Sequence, residues 1–115
     1  MTTSSLIRGP LLGQGAICEP ILRALPAWFG IEEAIVHYVN EIDQLPTFLA
    51  CQQDQVLGFV SLKVHNPNAA EIYVMAIRSA LHRQGIGRQL VQQAEALLRA
   101  QGVEVLLDTR LLEFG

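Results

Sequence analysis

The sequence predicts an α/β fold built on one mixed sheet, and three observations carry that prediction. Apolar runs at 47–51 ("TFLAC"), 56–64 ("VLGFVSLKV") and 71–77 ("EIYVMAI") follow one another through short connections. Connections that short suit an antiparallel meander and exclude crossovers. A further apolar run, "VEVLLD", lies beyond a long helical stripe. Strand, helix and strand in that order imply a right-handed parallel crossover. Two helical segments precede the meander, so the predicted order is β-α-α-β-β-β-α-β.

Residues near 4–8 read as a first short strand, ended by Gly9 and Pro10. Ile17, Ile21 and Leu25 lie four apart, the spacing of a helix face. Pro20 places the start of that helix near Glu19 or kinks it, and Pro26 ends it. A loop with Trp28, Phe29 and Gly30 follows. Ile31, Ala34, Ile35, Tyr38, Val39 and Ile42 then form one continuous helical stripe.

Past Pro46 the period changes to that of strands. Val56, Gly58, Val60, Leu62 and Val64 alternate with Lys63 on the opposite face. "HNPNA" has the residues of a turn, and "EIYVMAI" is apolar on both faces, as a central strand is. From Ile86 a helix stripe runs through Leu90, Ala94, Leu97 and Leu98, with Gly102 placed to cap it.

At 115 residues the chain is one domain, residues 1–115. Half of it is hydrophobic and 17% is charged, the balance of a globular protein. A net charge of −3 argues against a broad nucleic-acid footprint. No apolar run approaches the ~20 residues of a membrane span, and no secretory signal is visible. Cys18 and Cys51 make neither a disulfide framework nor a metal motif, and read as reduced thiols of a cytoplasmic protein.

The stretch that carries chemistry is "HRQGIGRQLV", His82 to Val91. A helix N-terminus exposes unpaired N–H groups and partial positive charge, and glycine lets a ligand come close to them. Arg83 and Arg88 add charge around Gly85 and Gly87. The string G-x-x-x-x-G-K-[ST] of a P-loop is absent. A dinucleotide fingerprint needs a third glycine, where Leu90 stands, although Asp108 ends the next strand at a suitable distance for a ribose. A small dinucleotide-binding unit therefore ranks second. Glycines that only solve a turn or packing problem are the bland alternative.

The segment "EIYVMAIRSALHRQGIGRQLVQQAEALLRAQGV" resembles the acetyl-CoA motif of the GNAT superfamily of N-acetyltransferases. That motif is [Q/R]-x-x-G-x-[G/A], between a fourth strand and a third helix. Here His82 takes the Q/R position, a departure, followed by Arg83, Gln84, Gly85, Ile86 and Gly87. The element order upstream matches too, and the likeness covers nearly the whole chain. The resemblance implies an acyl-CoA N-acyltransferase fold and transfer of an acetyl group from acetyl-CoA to an amine, with no metal. It implies that the pantetheine arm lies along the strand at Met75, Ala76 and Ile77. It implies a pyrophosphate on backbone N–H groups of Arg83, Gln84, Gly85, Ile86, Gly87 and Arg88.

The acceptor would be a small-molecule or protein amine, neither a nucleic acid nor a membrane. In the histone-acetylating branch a glutamate matching Glu71 acts as general base, and a solvated strand-edge carboxylate is the plain alternative. His65, across the hairpin, is placed to share that work or is simply a loop residue. His37 reads mainly as surface. Trp28 and Phe29 line an acceptor pocket or belong to the core.

The family fold continues past its fifth strand with a fourth helix and two more strands, which often supply a tyrosine acid. This sequence stops at "TRLLEFG", and its last tyrosine is Tyr73. A C-terminally truncated domain, lacking the last helix and strands, is therefore expected. The given residues are then part of a longer chain, or an inactive CoA- or partner-binding remnant, or half of a homodimer that covers the open sheet edge.

Overall fold

The computed structural model describes residues 6–25, 29–81 and 84–106. The elements are β1 (Leu6–Leu11), α1 (Gly15–Arg23), α2 (Glu32–Ile42), β2 (Thr47–Gln52), β3 (Gln55–Asn66), β4 (Ala69–Ile77), α3 (Ile86–Arg99) and β5 (Glu104–Leu106). A 3₁₀ turn, Ser79–Leu81, stands between β4 and α3. The five strands form one sheet in the order β1-β2-β3-β4-β5. The first three pairings are antiparallel and β4–β5 is parallel, as the crossover requires.

Each face of the sheet carries its own core. Phe48, Ala50, Val60, Leu62, Ile72, Met75 and Ile77 meet Ile86, Leu90, Val91, Ala94 and Leu98 of α3. Leu49, Cys51, Phe59, Val74 and Ala76 meet Cys18, Ile21 and Leu22 of α1 and Ile35 and Ile42 of α2. Burying one such aliphatic side chain is worth roughly 1.5–3 kcal/mol, so the two helical layers hold the sheet from both sides. Strands covered twice lose the clean period-2 signal, which is why Leu57 to Leu62 of β3 are all buried.

Local departures from the sequence reading have physical causes. β1 runs through Gly9 and Pro10 instead of stopping there; β1 is an edge strand, where a missing N–H is tolerated. α1 starts at Gly15, ahead of Glu19, and carries Pro20 inside it. The Gly15 N–H donates to Asp43 Oδ1 at 2.8 Å, so the last residue of α2's turn caps α1 from across the layer. Ile31 stands outside α2 as its N-cap and is exposed, while Glu32 and Glu33 complement the helix dipole in the first turn. On α3 the buried stripe is Ile86, Leu90, Val91, Ala94 and Leu98, and Leu97 is left partly exposed. The helix is capped at Ala100, and Gly102 follows in a left-handed turn in which Val103 N–H donates to Leu98 O.

Candidate active site

Two regions of the fold carry the sequence-predicted site residues. The first is the start of β4. Its ladder with β3 skips a residue between Ile72 and Val74, opposite the adjacent Leu62 and Ser61. Tyr73 is the extra residue of that β-bulge, so Tyr73 and Val74 both belong to the α1/α2 side of the sheet, while Ile72 and Met75 belong to the other. Glu71 lies directly across from Lys63. The strand period then puts Lys63, His65, Glu71 and Tyr73 on one face.

Glu71 Oε2 lies 3.5 Å from His65 Nε2, and both side chains keep about two-fifths or more of their surface, 46% and 42%. Lys63 points elsewhere, with its Nζ 6.0 Å from the centre of the Tyr73 ring. Tyr73 meets Tyr38 of α2 at 5.7 Å between centroids, and Tyr38 meets Phe29 edge-on at 5.6 Å. Burial, and then the Glu41 charge and Tyr38, hold the Tyr73 phenol above its ordinary pKa. The Tyr73 hydroxyl is therefore protonated at neutral pH and available as a donor.

The second region is the far end of β4 and the start of α3. Met75, Ala76 and Ile77 are fully buried and pair with Val60, Phe59 and Gly58 of β3. Gly58 permits that approach: a Cβ there would stand 2.4 Å from Ile77 Cδ1 and 2.9 Å from the Ala76 carbonyl oxygen. Among the described residues β5 pairs with β4 only at Ala69, Ala70 and Glu71. Arg78, just past β4, ties this end down by donating through its N–H to Leu57 O and through Nε to Val56 O.

α3 begins at Gly85, which has φ 81° and forms no side-chain cap. That left-handed conformation favours glycine. Among the described residues no heavy atom stands within 4 Å of a would-be Cβ there. No acidic residue sits in the first turn, and the first helical bond described runs from Gln89 N–H to Gly85 O. Among the described residues no side chain caps the N–H groups of Ile86, Gly87 and Arg88, and a glycine-opened helix start of that kind can accept an anion. Arg88 and Gln84 are exposed beside it. The donor set and the open cradle fit a phosphate ester.

Arg83, His82, Trp28 and Asp108 lie outside the described residues. His65 belongs to β3 and not to a loop, and that placement brings it to Glu71. His37 is exposed on α2, 3.9 Å from Glu41, as its position suggested. Phe29 is buried in the core and touches Tyr38, so it joins the aromatic group without being lost from the interior. Lys63, Tyr38 and Tyr73, which the sequence reading did not single out for the site, lie beside Glu71 and His65. The alternation of β3 gave a signal for Lys63, and the period of β4 puts Tyr73 on the face of Glu71; what nothing in the sequence announces is the bulge that brings Val74 to that side as well. Leu90, at the third glycine position of a dinucleotide fingerprint, is fully buried in the α3 core. No group of three or more His, Cys, Asp or Glu is placed to hold a metal among the described residues. Among them, too, no helix is long and apolar enough to cross a membrane.

Comparison with known proteins gives a consistent result. The family model described as Acetyltransferase (GNAT) family matches residues 18–113. An uncharacterized N-acetyltransferase of Chlorobaculum tepidum is 32% identical over 71 residues, which is 62% of this chain and 43% of that protein. The matched segment thus spans under half the length of that relative. Several solved structures share the fold, two of them with coenzyme A bound. PaiA N-acetyltransferase from Thermoplasma acidophilum, in complex with coenzyme A, superposes with TM-score 0.69 at 21% identity, over 90% of this chain and 78% of that one. An aminoglycoside 6'-N-acetyltransferase complexed with coenzyme A gives 0.70 at 17% identity, over 89% and 60%.

Proposed function

The chain belongs to the GNAT family of acetyltransferases, and from that premise we propose that it moves an acetyl group from acetyl-CoA to an amine, with Glu71 as general base. The observation that carries this reading is the capless, left-handed Gly85 end of α3, which lies past one end of the strand whose other end bears Glu71. Two relatives by fold are solved with coenzyme A bound, in line with a CoA ester on this chain.

Backbone N–H groups at Gln84, Gly85, Ile86, Gly87 and Arg88, with Arg83 ahead of them, would hold the pyrophosphate. Met75, Ala76 and Ile77 would direct the pantetheine arm along β4. Ile77 lies six residue steps beyond Glu71, about 20 Å at ~3.3 Å per step, so the arm would run from the phosphate site toward the carboxylate. Acetyl-CoA supplies an acyl carbon already joined to a good leaving group. Glu71 takes the proton from the acceptor's ammonium group, directly or through a water. The freed nitrogen lone pair attacks the thioester carbonyl; the C–N bond forms, the C–S bond breaks, and the departing thiolate takes up the second proton that the nitrogen gives up as the amide forms. His65 steadies the Glu71 carboxylate from the neighbouring strand.

Loss of a general base costs typically 10²–10⁴-fold. Glu71→Gln should therefore lower kcat for acetyl transfer by at least about a hundredfold, with acetyl-CoA affinity retained. Thiol release over a panel of amines measures the first and calorimetry the second. Turnover in Glu71→Gln at the wild-type rate would remove Glu71 from the mechanism. Acetyl-CoA binding without release from any amine would favour the remnant reading, a module that binds CoA and turns nothing over.

A further inference from the structure

We propose that the acceptor is a zwitterion, an amino acid whose ammonium group meets Glu71 and whose carboxylate meets Lys63. The inference rests on the role of Glu71 proposed above. Lys63 and Glu71 are direct cross-strand partners of opposite charge, and such a pair would ordinarily join in a salt bridge. Here it does not. Glu71 turns to His65 at 3.5 Å, and the Lys63 ammonium lies over the Tyr73 ring. Among the described residues Lys63 makes no ion pair. Two register shifts, one on either side of this pair, skew the local ladder.

The two residues are thus neighbours across the ladder, with their charged ends turned to different partners and both accessible. Facing Cβ atoms in an antiparallel pair stand ~4.5–5.5 Å apart, so both flexible side chains can reach the two ends of one small bound acceptor. A bare amine brought to Glu71 would meet the unpaired Lys63 cation and be repelled. An amine that carries its own carboxylate neutralises that cation as it binds. Tyr73 and Tyr38 extend beyond the two charges and offer apolar faces with a protonated phenol to whatever side chain the acceptor bears. Lys63 contacts the acceptor without moving its proton, so its part is selection.

The test compares amino acids with their amides and their decarboxylated amines. Binding is read by calorimetry on the CoA-loaded protein, and transfer by thiol release. Amino acids should bind about tenfold or more tightly than the matched amides, the effect of ~1.4 kcal/mol. Lys63→Gln should erase that preference, Lys63→Arg should keep it, and Lys63→Glu should invert it toward the amines. Lys63 is exposed, and circular dichroism confirms that each variant is folded. Equal affinity for acid, amide and amine overturns the inference, as does a preference that survives Lys63→Gln or a failure of every amino acid to bind. The catalytic reading fails separately: amino acids that bind through Lys63 with no thiol release would sink Glu71 as a base and leave the zwitterion site standing.

Discussion

Thr47 Oγ1 and Ser61 Oγ lie 2.8 Å apart on neighbouring strands, and both residues are fully buried. The direction of the bond follows from the third partner. Thr47 Oγ1 donates its one hydrogen to the Leu45 carbonyl oxygen at 3.1 Å, so the Ser61 hydroxyl must be the donor to Thr47. The chain Ser61 to Thr47 to Leu45 satisfies three polar atoms in an apolar layer. Ser61→Ala leaves Thr47 short of a donor and should cost about 1–3 kcal/mol. Thr47→Val strands both neighbours and should cost at least as much. The double variant should cost less than the sum, because the two share one network. Urea unfolding of the four proteins gives the coupling directly.

Gly85 makes a prediction in which stability and ligand binding separate. No atom of the described residues stands near a would-be Cβ, so Gly85→Ala should cost what its left-handed φ costs, roughly 1–2 kcal/mol. Gly85→Asp adds a negative charge where a pyrophosphate would rest. Its acetyl-CoA affinity should fall more than about tenfold, beyond ~1.4 kcal/mol, while its melting temperature stays close to that of Gly85→Ala. Calorimetry and thermal melts on the two variants check both halves.

Cys18 and Cys51 are both buried, but Cys18 is the more deeply withdrawn. Burial first, and then the Asp43 charge, push its thiol pKa up to about 12. At pH 8 it is therefore almost wholly protonated, and the protonated thiol is a poor nucleophile. Native protein treated with a chromogenic disulfide reagent should leave Cys18 unlabelled until denaturant is added. A Cys51→Ser variant isolates the signal; rapid native labelling of that variant would contradict the placement of Cys18.

Arg23 bridges two acids, with Nη2 at 2.8 Å from Glu32 Oε1 and Nε at 2.7 Å from Glu19 Oε2. The Arg23 hydrogen bonds hold the Glu32 carboxyl below its ordinary value of 4.5. A carboxylate depressed on folding contributes stability above its unfolded pKa and loses it as pH falls through the folded one. The bridge is solvent-exposed, so the effect should be small. Between pH 6 and 3 the stability of Glu32→Gln should fall less steeply than that of wild type, and melting temperatures across that range measure the difference.

The legible parts of this fold were those governed by one period over many residues. The α3 stripe, the meander and the parallel return of β5 follow from spacing alone, and the glycines before α3 follow from what a helix end exposes. The Tyr73 bulge did not show, because one extra residue reverses the facing of everything after it without changing composition. The Lys63–Glu71 register, and with it the accessible charge pair, depends on that bulge and on the shift beside Val64. Pro10 in β1 was misread as a boundary, and of the two readings of Pro20 the start near Glu19 fails while a place inside α1 holds, since local propensity yields where an edge strand or a packed helix can spare one N–H.

The uncapped start of α3 also ties folding to mass action. A helix that begins on serine or aspartate closes its own first turn; in the function proposed here an anion from outside would do so. Whatever binds there completes the helix, and its binding free energy is added to that of the folded state as RT ln(1 + [L]/Kd). At a hundred times Kd the gain is about 2.7 kcal/mol. The same end of the molecule would then report metabolic supply as thermal resistance, with a melting temperature that rises with the concentration of coenzyme A.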